Sequence, residues 1–325
     1  MTHLGSIVGG VLRRRGARTA IGLLLAVAAL VVVVQQLSHD IGRVADTLRT
    51  AFHLAPAWLA AAWIVQTAGA WLMLDTWRRI VESLGVQARP AQHAKRYAFA
   101  ALAHVVPGGI WVPLGRLAAY GRADALAVGA GMTVEWVVLG VAGLVLYGAT
   151  LPLTAGAPPA GVLALVAAGA LGIAAVQPAV FRRLVGLAAR LMGRQADGAA
   201  LPALPAGALR GWQVRALGVL VLSGVALYAF MRAVSPAPPG VLAEAVGIGA
   251  LTLALGNLLG PLPLAGLVKD IGMVLLFTPI YGSSAIALGV VVAWRLWLIA
   301  VEVSWALIAM VWHRRTVPAV GMGMP

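Results

Sequence analysis

The chain has 325 residues, 61% of them hydrophobic and 10% charged, where a soluble domain carries roughly 45–50% and about 25%. That excludes a soluble globule, and at about 20 apolar residues per spanning helix the whole of 1–325 reads as one all-α polytopic membrane domain. The formal charge of +14 comes from 24 basic and 10 acidic residues. The basic residues border apolar runs, a pattern of topology setting and headgroup contact that leaves no nucleic-acid face. No cysteine is present, which removes disulfides, thiolate metal sites and thiol catalysis.

Arg13-Arg14-Arg15 and Arg18 precede the first apolar run, Thr19–Leu37, read as an uncleaved helix because the run is long and no small-x-small cleavage site follows it. Further runs lie at Pro56–Leu74, Tyr97–Tyr120, Ala125–Leu151, Ala160–Gln177, Trp212–Met231, Val241–Leu259, Leu262–Tyr281 and Ala285–Trp312. With the first cluster cytoplasmic, the basic segments Arg78–Arg96 and Arg182–Arg215 are both expected on that side. Three runs separate them, so one of the three does not cross. Tyr97–Tyr120 is the candidate, because His104-Val105-Val106-Pro107-Gly108-Gly109-Ile110-Trp111-Val112-Pro113 puts two prolines and a glycine pair in mid-run. Each flank is about ten residues, about 15 Å of helix, which suits a re-entrant hairpin open to the cytoplasm.

In the second half, Gly256-Asn257-Leu258-Leu259-Gly260-Pro261-Leu262-Pro263-Leu264-Ala265-Gly266 interrupts Val241–Tyr281. With His313-Arg314-Arg315 cytoplasmic, that stretch starts and finishes outside, either as a re-entrant element or as two full spans. About six full spans and two Pro/Gly-broken elements opening to opposite faces form the inverted-repeat pattern of transporters, with sites where broken helices meet near the midplane. The halves are 1–196 and 210–325, joined by a Pro- and Ala-rich link at 197–209. Phe181–Arg194, with four arginines among apolar residues, reads as a helix lying on the inner leaflet.

Ionisable groups inside apolar runs cost about 2.5–3.5 kcal/mol each and are the informative residues. Glu135, Arg295 and Glu302 are three of them, and Arg295 and Glu302, seven residues apart, share one helix face. They form either a buried ion-pair lock or a polar path for a headgroup or a proton. Arg116 follows Pro107 by nine residues, and in Lys269-Asp270 the aspartate follows Pro261 by nine. Arg116 and Lys269 are either snorkelling cations or ligands of a lipid phosphate, together with the free N–H groups of the helix end broken at Pro107, Gly108 and Gly109. Trp111 belongs to the same motif, and His104 stands ready to bond freed backbone groups. Asp75, Arg78, Arg79 and Glu82 read as a solvated helix end with local pairs. No metal-ligand spacing, nucleotide loop or catalytic motif is found, so no metal or other cofactor is expected.

The run Tyr97, His104 to Trp111, Arg116, Gly121 and Glu135 resembles the first block of the lysylphosphatidylglycerol synthetase transmembrane region, a flippase-like family of integral membrane proteins. Pro261 to Asp270, with Arg295 and Glu302 downstream, resembles its second block, with Leu-Ala-Gly after a proline where the family has Pro-Gly-Gly, and Asp270 where it has Glu. The resemblance implies a multi-pass protein of the inner membrane, both termini cytoplasmic. Its partners would be membrane lipids: an anionic or aminoacyl phospholipid, or a polyprenyl-linked glycan. The synthase domain of two-part members is not in the chain, so aminoacyl transfer is not expected. The function expected is lipid translocation between leaflets, by a protein that is not an enzyme. The alternatives are a membrane-embedded polyprenyl-phosphate-dependent transferase with Glu135 or Asp270 as base, and an accessory subunit that partners an envelope-lipid synthase.

Overall fold

A computed structural model describes residues 54–102, 111–153, 160–175, 177–183, 206–235, 237–258 and 265–316. Nine helices are delimited among them: α1 (Pro56–Ser83), α2 (Pro90–Ala101), α3 (Trp111–Tyr120), α4 (Ala125–Thr150), α5 (Ala160–Ala175), α6 (Ala206–Val234), α7 (Leu242–Leu258), α8 (Ala265–Tyr281) and α9 (Ser284–Thr316). No strand occurs among the described residues. Both α1 and α2 open on proline, whose fixed φ suits the first turn and whose missing N–H is one that a helix start leaves unpaired anyway.

Four helices are long and apolar enough to cross a membrane: Pro56–Ser83, Gly207–Val234, Ser284–Thr316 and the helical stretch Ala125–Leu153. α5, α7 and α8 are shorter, at 16, 17 and 17 residues. The first expected span, Thr19–Leu37, lies outside the described residues, as do most of the link 197–209 and of the amphipathic stretch Phe181–Arg194. α6 begins at Ala206, so the last residues of the expected link are helical. α1 continues nine residues beyond Leu74, because the Asp75, Arg78, Arg79 and Glu82 pairs support its final turns.

The bundle has two ends, marked by the Pro56 and Ser83 ends of α1. α6 runs antiparallel to α1: Ala55 N–H donates to the Ala233 carbonyl at 2.9 Å, Gly69 lies against Leu222, and Ile80 meets Leu209 and Trp212. α4 starts at the Ser83 end, where Val128 and Met132 pack with Trp77 and Val81. α7 runs back alongside α4, with Gly247 against Thr150 and Gly143 against Ala250 and Ala254. α9 starts at the Pro56 end, with Val290 and Trp294 in a cluster with Ala62 and Phe230, and finishes with Ala306 and Ala309 against Leu74, Ala94 and Ala98.

Between these long helices stand two pairs of shorter ones. α2 and α3 leave the Ser83 end and return to it: Gly115 rests on Ala100, and His93 meets Tyr120, the last residue of α3. α7 and α8 do the same from the Pro56 end: Gly256 faces Lys269 at the far turn, and Tyr281, the last residue of α8, bonds Ser235 at 2.9 Å. Each closing tyrosine is followed by a glycine in the left-handed region, Gly121 at φ 85° and Gly282 at φ 63°, where a Cβ would be strained. The packing also pairs crosswise. α4 lies on α7, the first arm of the second pair, and α9 lies on α2, the first arm of the first.

The close contacts fall at small residues. A Cβ on Gly143 would come within 2.5 Å of Ala254 Cβ, and one on Gly148 within 2.6 Å of Ala168 Cβ. Helices in lipid gain nothing from leaving an apolar solvent, so their association depends on such backbone approach.

Candidate functional site

Among the described residues two ion pairs join a returning helix to the long helix that follows it. Arg116 of α3 pairs with Glu135 of α4, and Asp270 of α8 pairs with Arg295 of α9. Arg116 and Asp270 are each the sixth residue of their helix, and Glu135 and Arg295 are the eleventh and twelfth of theirs. Counting the rise per residue, Glu135 lies about 15 Å from the start of α4 and Arg295 about 16 Å from the start of α9. Those starts are at opposite ends of the bundle, so each pair lies well inside its long helix, counted from either end of the bundle.

The first pair is enclosed. The Arg116 and Glu135 side chains are 9% and 2% exposed. The guanidinium carbon lies 4.4 Å from the Trp77 ring centre and 4.5 Å from that of Tyr97, so two aromatic faces share the cation with the carboxylate. Tyr97 O–H points to Glu135 Oε1 at 3.5 Å, and Arg116 Nε has no hydrogen-bond partner among the described residues. The second pair is open, with Arg295 48% and Asp270 19% exposed. Lys269 beside it rests its stem on Gly256. Glu302 is half-buried two turns along α9 from Arg295 and lies within electrostatic reach of Tyr97.

Toward the Ser83 end the first pair continues into a hydrogen-bonded layer. Trp77 Nε1–H donates to Tyr120 Oη at 2.9 Å, and Tyr120 Oη lies 2.8 Å from His93 Nδ1. The direction of the Tyr120–His93 bond follows the imidazole tautomer, and His93 Nε2 lies 3.9 Å from Glu82 Oε1. Burial holds His93 below its ordinary 6.5. Arg96 and Arg78 push the same way and Glu82 and Asp124 oppose them. Asp75 binds Arg78 at 2.6 Å and Arg79 at 2.7 Å and also reaches Arg215 of α6 at 3.5 Å, tying the two crossing helices together.

The sequence-predicted residues therefore divide. Arg116 and Glu135 come together, as do Asp270 and Arg295, while Glu135 and Arg295 belong to different pairs. Trp111 stands 45% exposed at the start of α3. His104, Pro107, Gly108 and Gly109 lie outside the described residues. Sequence reasoning took Tyr97 only as the start of the run that carries the resemblance and passed over Trp77, His93 and Tyr120; Trp77 and Tyr97 face Arg116, and Tyr120 joins Trp77 to His93. A signal for them existed: His93, Tyr97 and Arg96 crowd a 12-residue helix that is otherwise rich in alanine.

Compared with known proteins, the chain matches no family model, no curated protein and no solved structure.

Proposed function

We propose that this protein is a flippase-like lipid translocase of the bacterial inner membrane, carrying a phospholipid or lipid-linked headgroup between leaflets. The observation that carries the reading is the pair of ion pairs at corresponding positions, each beside two helices that return to the end they left. On this reading α2–α3 and α7–α8 are re-entrant elements opening to opposite faces, and α1–α4 and α6–α9 are inverted repeats related about the α1–α6 crossing. Buried charge well inside the long helices serves transport better than stability, because well-packed apolar residues hold helices together as firmly as an ion pair.

The chemistry suits a lipid phosphate. Arg116 keeps an unpaired Nε, and Arg295 is half open, so each guanidinium has donors left for an anionic oxygen. A headgroup entering the site would exchange with Glu135 or Asp270 as partner of the arginine, and the displaced carboxylate would face any headgroup cation. Polar groups then stay paired at every depth, which lowers the barrier that the apolar layer imposes on a headgroup. The flippase-like family that the sequence resembles agrees with this reading.

The test is transbilayer movement in proteoliposomes of a labelled aminoacyl phospholipid, a plain anionic phospholipid and a polyprenyl-phosphate sugar. Protein-dependent movement of one of them is expected, slowed about tenfold or more in Arg116→Ala and Arg295→Ala, which is the loss of ~1.4 kcal/mol from the barrier-lowering contacts. No movement of any lipid by the folded protein, or unchanged rates in folded variants, would reject the proposal.

A further inference from the structure

Positive charge at the Ser83 end of the bundle is of two kinds. On the α1–α6 side it is matched within the protein, since Arg78, Arg79 and Arg215 all pair with Asp75. On the α2–α9 side it is not. The last turns of α9 pack on α2, with Ala306, Ala309 and Trp312 against Ala94 and Ala98, which brings Lys95 and Arg96 within electrostatic reach of His313. The Lys95 ammonium and the Arg96 guanidinium make no ion pair and no hydrogen bond among the described residues. Arg96 is nevertheless held in place: it is half-buried and its guanidinium carbon lies 4.8 Å from the centre of the Tyr120 ring, and Tyr120 is itself fixed by Trp77 and His93. A planar fork of N–H donors is thus oriented by an aromatic face, beside a second cation, with no acceptor supplied by the described residues.

From this unmatched cluster we infer that the junction of α2 with the last turns of α9 holds an anionic phospholipid, its phosphate oxygens on Arg96 and Lys95 and its chains running inward over Phe99. Phosphate oxygens are the partners that a guanidinium fork and an ammonium share. The depth suits a headgroup. Lys95 and Arg96 are the sixth and seventh residues of α2, which starts at the Ser83 end, and His313 is the fourth from last of α9, which finishes there, so the cations lie within about 10 Å of that end by the rise per residue. Directly inward the same helix face turns apolar: Phe99, one turn beyond Lys95, is 43% exposed. A cationic outer turn over an exposed aromatic ring fits a phosphate that carries acyl chains better than a free anion, which has no use for the ring. The α2–α9 contact is built largely on alanines, which bury little area each, so a lipid gripping this junction adds to its hold. The lipid is a resident ligand and not a cargo, and the inference stands apart from the translocase reading.

The full chain is purified free of lipid in a neutral detergent, and phosphatidylglycerol or phosphatidylcholine with the same acyl chains is added. Native mass spectrometry counts the lipid retained, and Tm follows the fold. Phosphatidylglycerol is expected to be retained and to raise Tm, because a ligand of the folded state stabilises it, and phosphatidylcholine, whose own cation would face Arg96 and Lys95, is expected to do neither. Lys95→Gln with Arg96→Gln is expected to weaken retention about 25-fold, at about fivefold for each charge. Arg79→Gln with Arg210→Gln, which removes the same charge from the same end of the bundle, is expected to leave it unchanged. Arg96→Lys keeps the charge and loses the fork; it is expected to weaken retention by less, and it stands in where the double variant does not fold. Equal losses in the two double variants would reduce the site to general surface charge, and unchanged retention in folded Lys95/Arg96 variants would overturn it outright. Displacement of the lipid by millimolar glycerol 3-phosphate would overturn the lipid in favour of a soluble anion. Lipid movement is not read here, so failure of the translocase proposal and failure of this one are separate results.

Discussion

Arg116 shows how much chemistry one side chain can gather. Its charge is shared among a carboxylate and two aromatic faces, and removing one member of such a buried pair typically costs about 3–5 kcal/mol. His93 is the more unusual neighbour, fully buried and joined to Tyr120. Its folded-state pKa lies below 6.5 because burial penalises the cation, so below that pH the unfolded chain takes up the proton that the folded chain refuses. Stability is thus highest above pH 6.5 and falls as pH drops below it. Thermal unfolding in detergent is expected to show Tm falling between pH 7.5 and 5.5, and falling less in His93→Gln. An equal pH slope in both would show that His93 is not the group responsible. That Arg116 and Glu135 are charges set in apolar helices was legible, because each lies in an apolar run. That they are partners was not, because 19 residues and a helix break separate them and nothing in residue order says which faces meet.

At the level of helices, the interruptions were readable and their contacts were not. Proline and glycine mark the end of α2 and the gap before α8, and the equal nine-residue spacing from Pro107 to Arg116 and from Pro261 to Asp270 matches the sixth-residue position of both charges in their helices. The crosswise packing of α4 on α7 depends on which glycines face a neighbouring backbone, and with 39 glycines in the chain no periodicity singles out the few that do. Gly143 is one. A side chain there meets Ala254 Cβ at 2.5 Å and the Ala250 carbonyl oxygen at 2.6 Å, so Gly143→Val must push α4 and α7 apart, at a cost of about 1–3 kcal/mol. A clear drop in Tm is expected for Gly143→Val and none for Gly169→Val, since a Cβ on Gly169 meets nothing within 4 Å. Equal drops would mean that helix propensity dominates, and no drop would mean that the α4–α7 approach is adjustable.

For the whole molecule, charge is distributed by end. Arg78, Arg79, Arg96, Arg210, Arg215 and Arg314 lie toward the Ser83 end of the bundle, whereas Arg232, over the Trp58 ring at 5.5 Å, is the only Lys or Arg toward the Pro56 end among the described residues. The bias predicts that the Ser83 end faces the cytoplasm. In intact cells an impermeant maleimide is expected to reach Gly240→Cys, exposed beside the start of α7, and to miss Ala123→Cys, exposed between α3 and α4. The opposite pattern would invert the topology.

The order of charge is exchanged between the two pairs: the shorter helix supplies the cation in one, Arg116 of α3, and the anion in the other, Asp270 of α8. Were the order the same, bringing the hairpins together would set like charges against each other, and so would bringing α4 and α9 together. With the order exchanged, Arg116 and Asp270 are opposite in sign, as are Glu135 and Arg295, so α3 attracts α8 and α4 attracts α9, whereas Arg116 with Arg295 and Glu135 with Asp270 repel. Lys269 and Glu302 extend the set to three charges of each sign. The interior of the molecule is therefore electroneutral whichever residues are in contact, and the resting membrane voltage exerts no net pull on that set when the halves move together.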